Sequence, residues 1–211
     1  MSTKIGTIAH GSHAPGAIMC AMEWAAKLAG EPHSDSPSCV SPVIRGFMIS
    51  WNDGIIDDAR RTELLRPMIQ LTLATRTNAR DEKRRGMLAL DWYIRTCVPA
   101  WLDLCPATRA EADALRALPE IVDVASAKRA APLALAAREK SAVAWAAAGA
   151  AARAAAVDAA VAAAWAAAVD AAWDAAVDAL RSTTETLQVS AQDLVRRMCA
   201  VGRANAEEGK P

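Results

Sequence analysis

Apolar residues recur at helical spacing along almost the whole chain after residue 15. Pro15-Gly16 opens a segment to Leu28, and Gly30 with Pro32 closes it. The polar stretch GEPHSDSPSC at 30–39 is punctuated by proline and reads as a loop. Ser41-Pro42 reads as an N-cap with proline in the first helical position, followed by Val43, Ile44, Phe47, Met48 and Trp51 on one face. Asn52-Asp53-Gly54 ends that helix. Asp57 or Asp58 caps the next one, whose buried stripe is Leu64, Leu65, Met68 and Ile69, with Pro67 predicting a kink or break. Asn78 opens a helix that is charged at its start and apolar over Met87, Leu90 and Ile94. Pro99 is expected to interrupt it. Thr108 with Glu111 has the spacing of a capping box ahead of Ala112, Leu115 and Leu118. No segment alternates apolar and polar residues long enough to predict a strand. The pattern is all-α.

The strongest periodic signal lies further on. From Ala142 to Leu180, 24 of 39 residues are alanine, the best helix former, and no proline occurs between Pro132 and Pro211. A helix of that length spans roughly 58 Å. Larger residues recur in steps of four, among them Trp145, Trp165, Val169, Trp173 and Val177. Each step of four overshoots the helical turn by about 40°, so this stripe spirals and no single flat surface covers it. Ser182 and Glu185 have capping-box spacing and predict a break near 181, then a short last helix carrying Leu187, Ala191, Leu194, Met198 and Val201. The expected architecture is a compact multi-helix body, residues 1–128, and a long Ala-rich helical arm with a short C-terminal helix, residues 129–211.

Composition changes this picture in one respect. Hydrophobic residues make up 53% of the 211, but much of that is alanine, which buries little area, so the core must come from larger side chains of the body. Lys+Arg 24 balances Asp+Glu 24. Residues 1–140 carry 18 basic and 16 acidic residues and 141–211 carry 6 and 8, so neither part is a basic patch for nucleic acid or anionic membrane. The charged run Arg76–Arg85 reads as a solvated face or loop in preference to a phosphate-binding patch. No uncharged apolar stretch is long enough to span a bilayer, and no signal-peptide core precedes the first segment. Five cysteines without repeated spacing read as free thiols in a reducing cytoplasm.

Candidate chemistry concentrates near the start, where His10, His13, Cys20, Glu23, His33, Asp35 and Cys39 fall within thirty residues. Cys20 and Glu23 share a helix face, and the 30–39 loop could return His33 and Cys39 to it. Cys20, Glu23, His33 and Cys39 are a feasible zinc or iron set, although CxxC, HxxxH and HExxH are absent. The competing readings are an ordinary Glu23–Lys27 pair and cysteines that are small buried hydrophobes. A Cys20 or Cys39 nucleophile activated by His10, His13 or His33 is a further alternative. No phosphate-binding, serine-hydrolase or EF-hand pattern occurs, so no catalytic residue is assigned and no cofactor is expected beyond the zinc or iron alternative.

The block MCAMEWAAKLAGEPHSDSPSCVSPVI (Met19 to Ile44), with WNDG, LLRPMI and LALDWYIRTCVPAWLDL, resembles uncharacterised proteins of high-GC, actinobacterial-type bacteria and their phages. The resemblance covers roughly residues 10–125 and implies an origin and a body limit, with no activity attached. The function expected from the sequence is a non-enzymatic helical accessory or interaction protein. Its partner is a second copy or another protein, engaged through the arm. The alternative is a metal- or thiol-dependent protein working on a small molecule at the N-terminal cluster. Nucleic acid and membrane are not expected partners.

Overall fold

The computed structural model describes residues 5–16, 18–157 and 162–203, with the side chains of residues 145 and 148–179 outside that description. The chain is all-α. Its helices are α1 (Ala21–Ala29), α2 (Pro42–Gly54), α3 (Asp58–Thr72), α4 (Ala79–Trp92), α5 (Val98–Leu102), α6 (Arg109–Arg116), α7 (Val124–Val157) and α8 (Ala162–Ala200). A π-helical turn (Tyr93–Cys97) precedes α5 and a short 3-10 turn (Pro106–Thr108) precedes α6. No strand occurs among the described residues beyond a single parallel bridge between Ile8 and Met19. Among them, too, no helix is long and apolar enough to cross a membrane. Contacts group the chain into two units, Met1–Ala89 with Ser190–Pro211, and Leu90–Val189.

In the first unit, α1 touches both α2 and α3. Met22, Ala25, Ile44, Met48, Leu65, Met68 and Ile69 are buried there, and so are Leu194, Val195 and Met198 from the end of α8. Local chemistry places the helices. The Ser41 hydroxyl accepts the Ile44 amide ahead of Pro42, the Asp57 carboxylate accepts the Arg60 amide at 2.7 Å, and the Asn78 side chain accepts the Asp81 amide at 3.0 Å. Ser41 is the cap that the sequence predicts, Asp57 is one of the two it offers, and Asn78 stands where it opens a helix.

The first helix begins later than Pro15-Gly16 suggested. Cys20 is its N-cap, with its sulfur accepting the Glu23 amide and the Glu23 carboxylate accepting the Cys20 amide. This is a capping box with a thiol in place of the usual hydroxyl. Gly30, in the left-handed region, stops α1 as expected. Pro67 neither breaks nor ends α3. It sits on the exposed face, as does Glu63 one turn earlier, whose carbonyl the missing amide would have met, so that carbonyl loses its partner on the solvent side.

Part of the charged run also departs from expectation. Arg80, Lys83 and Arg84 are exposed, but Arg85 is fully buried. Its guanidinium donates to the carbonyls of Met198 (3.1 Å) and Val201 (2.7 Å), to the Thr77 hydroxyl and to Glu82. A cation there meets the carbonyls at the end of α8, of which Met198 also accepts the Val201 amide, and the negative end of the helix dipole. Gly202 follows at a φ of 84°, and a Cβ on it would lie 2.6 Å from Asp81. Gln192 on α8 donates to the Leu64 carbonyl, and Arg203 to the carbonyls of Leu71 and Leu73.

In the second unit, Leu102, Ala112, Leu115 and Ala137 form a small core flanked by Ile94, Val98, Leu118 and Ala134. Pro99 does not interrupt the helical course. The backbone widens to a π-turn just before it, and Val98 donates to the Tyr93 carbonyl, which shifts the register around the missing proline amide. Asp91 accepts the Ile121 amide at 2.8 Å and pairs with Arg95. Thr108 precedes α6, but the expected capping box is absent. Its hydroxyl turns back to the carbonyls of Leu102 (2.6 Å) and Cys105 (3.0 Å).

The break expected near residue 181 does not occur. α8 runs unbroken from Ala162 to Ala200, and Thr186 bonds back to the Ser182 carbonyl inside the helix. Alanine propensity before this point and the anchoring of the last turns after it outweigh the local capping signal. The C-terminal helix is therefore the end of a long one. Trp145, Trp165, Val169, Trp173 and Val177 belong to helical backbone, and their side chains lie outside the described residues.

Candidate functional site

The Cys20–Glu23 capping box is the centre of the N-terminal cluster. Glu23 is 1% exposed, yet both oxygens of its carboxylate are hydrogen-bonded. Oε1 accepts the His13 amide at 2.6 Å. Oε2 accepts the Cys20 amide at 2.7 Å and meets His13 Nδ1 at 3.0 Å. His33 Nε2 lies 3.5 Å from Oε1 and 2.8 Å from the His13 carbonyl. A carbonyl only accepts, so His33 carries its proton on Nε2 in this contact. Burial alone would raise the Glu23 carboxyl, but the two backbone amides and the His13 ring outweigh it and hold the carboxyl below its ordinary value. Glu23 is an ionised buried anion, and a neutral His13 then carries its proton on Nδ1 and leaves Nε2 as the accepting nitrogen.

The thiols are the opposite case. Burial, with the Glu23 charge as a smaller contribution, pushes Cys20 up to about 11, and its sulfur is held against the Glu23 amide. It is a protonated capping group at neutral pH, unsuited to thiolate attack. Burial raises the Cys39 thiol as well.

Of the four residues expected to converge, Cys20, Glu23 and His33 come together and Cys39 is held elsewhere. The Cys39 amide donates to Glu31 and its carbonyl accepts the Arg76 amide. The 30–39 loop is organised by Glu31, which takes the amides of both Ser38 and Cys39. No group of three or more His, Cys, Asp or Glu residues among those described is arranged to hold a metal ion. The reason is chemical. Two amides and an imidazole take three of the roughly four lone-pair sites of the Glu23 carboxylate, and the His33 proton points at a carbonyl.

Sequence spacing did not show His13 as the main partner of Glu23, because ten residues of irregular chain separate them. A similar long-range contact builds the wall beside it. Asp53 accepts the Gly11 amide at 3.0 Å and the Asn52 side chain at 2.9 Å. Burial opposes ionisation of Asp53, but these bonds and the nearby His10 and Arg61 hold its carboxyl low. Ser12, Cys20, Asp35, Asn52 and Asp53 line a polar cavity of about 100 Å³.

As an assembly, the cluster fastens the N-terminal segment and the 30–39 loop to the start of α1. Glu23→Gln tests this. An amide nitrogen would face the donors of His13 or Cys20, which costs about 2–3 kcal/mol at neutral pH by chemical denaturation. The Glu23 carboxyl sits lower in the folded chain than in the unfolded one. Its stabilisation is therefore complete above the ordinary glutamate value of 4.5 and is lost as pH falls through the folded value. The gap between wild type and variant should narrow in that acid range.

The fold and the site define an all-helical, two-unit chain whose N-terminal polar cluster is a structural clamp. No protein-family model matches the chain, and no curated protein or solved structure matches it either.

Proposed function

We propose that this chain is a non-enzymatic α-helical accessory protein, cytoplasmic and of high-GC bacterial or phage origin, that associates with a second copy of itself through its Ala-rich helices. The observation that carries this reading is the apolar surface of α7 and α8. Leu133, Leu135 and Val143 on α7 and Leu180 and Val189 on α8 are large aliphatic side chains exposed in the single chain. Leu135 and Val143 stand eight residues apart, within about 80° of each other around the helix. The alanines that follow allow a second helix close approach. The protonated Cys20 thiol and the engaged lone pairs of Glu23 favour this reading over thiol or metal chemistry.

Light scattering on the full chain tests it. Wild type should have a multiple of the 22.2 kDa chain mass. Leu135→Glu with Val143→Glu, at exposed positions that the fold does not need, should return the mass to that of one chain with helicity unchanged. An equal mass for both proteins contradicts the proposal.

A further inference from the structure

The second unit holds a trough of about 400 Å³ between the end of α5 and the middle of α7. Trp101, Leu102, Leu104 and Cys105 form one wall and Ser141 and Ala144 the other. Trp101 and Leu104 are partly exposed at its rim.

The hydroxyl and indole donors of this lining are already used inside the protein. The Trp101 indole N–H donates to the Cys97 sulfur. The Ser141 hydroxyl donates to the Ala137 carbonyl at 2.8 Å. The Thr108 hydroxyl, at the base of the trough, is held by the carbonyls of Leu102 and Cys105. What remains is carbon surface, an indole face, the accepting lone pairs of the two hydroxyls and the Cys105 sulfur, a weak donor and acceptor. An occupant carrying a charge would lose its hydration and meet no charged partner, whereas a neutral donor can still meet a hydroxyl lone pair. The volume is in the range of small-molecule sites, whereas a helix with its side chains is about 10–12 Å across.

We propose that this trough binds a neutral, apolar small molecule, held by burial against Leu102, Leu104 and Ala144 and by contact with the Trp101 ring and the Cys105 sulfur. The site is separate from the N-terminal cluster.

The test is fluorescence titration of the full chain with N-phenyl-1-naphthylamine, a neutral probe that brightens in apolar surroundings. Saturable binding of one probe per chain is expected. Decanol should displace it, and decanoate, which carries a charge, should displace it much less well. Ala144→Phe, which fills the trough, should weaken binding by about tenfold or more. Ala147→Phe, on an exposed position outside the lining, should leave it unchanged. Leu104→Asn, at a partly exposed rim position, should give a loss like that of Ala144→Phe without adding bulk.

Absence of saturable binding, equal affinity in Ala144→Phe, or equal displacement by decanoate overturns the proposal. Binding by Leu135→Glu/Val143→Glu alone, and not by wild type, would mean that a second copy covers the trough, which overturns it while supporting association.

Discussion

Arg85→Met is expected to lower the stability of the first unit by about 3–4 kcal/mol in chemical denaturation, and to expose the end of α8 to trypsin at Arg196 and Arg197. Arg85 is fully buried and satisfies two carbonyls at the end of α8, those of Met198 and Val201, together with Thr77 and Glu82. Methionine fills much of the same volume, so cavity formation is a minor part of the cost. The larger part is a part-buried Val201 carbonyl without a donor, a Met198 carbonyl left with the Val201 amide alone, and a Glu82 carboxylate without its cation. Arg85→Lys should recover little, because one ammonium cannot follow the fork that reaches both Met198 and Val201. A loss below about 1 kcal/mol, with unchanged proteolysis, would show that the last turns of α8 are held by Leu194, Val195 and Met198 alone.

Arg61→Met should cost about 4 kcal/mol, and the loss should appear at the opposite end of the chain. Arg61 is also fully buried, and its guanidinium donates to the carbonyls of Asn52, Ile8, Ile55 and Ile56 and pairs with Asp58. One side chain thereby ties the N-terminal segment, the end of α2 and the link to α3 together. Asp58 is well exposed and tolerates losing its partner, so the cost falls on the carbonyls. The measurable consequence beyond stability is faster amide exchange at Ile8 and Ala9, whose amides are held by Thr62 and Met19. Unchanged exchange there would contradict the role given to Arg61.

These two arginines also show where sequence reading ends. The caps at Ser41, Asp57 and Asn78 were legible because a cap and its amide lie three residues apart. The helical periods and the Gly30 stop were legible for the same reason. Pro67, Pro99 and Ser182 misled because each is a local signal settled by context. Pro67 lies on an exposed face, a π-turn absorbs Pro99, and the anchored end of α8 holds the helix through Ser182. Arg85 in the run RTNARDEKRR looks no different from its exposed neighbour Arg84. Its burial depends on a carbonyl 113 residues away.

The candidate site divides along the same line. Cys20 and Glu23 were visible as an i, i+3 pair, and the clustering of histidines marked the right region. That His13 and His33 close on Glu23 while Cys39 turns to Glu31 follows from the path of irregular loops, which no period encodes. The result is a clamp in which a buried carboxylate is bonded through both oxygens, and no metal-holding group forms among the described residues.

We propose that the long helices associate with those of a second copy. Sedimentation equilibrium of the full wild-type chain over a wide concentration range measures this most directly. The account predicts a mass that fits a multiple of 22.2 kDa, falling towards the single-chain value only on dilution. A mass of 22.2 kDa at every concentration would contradict it.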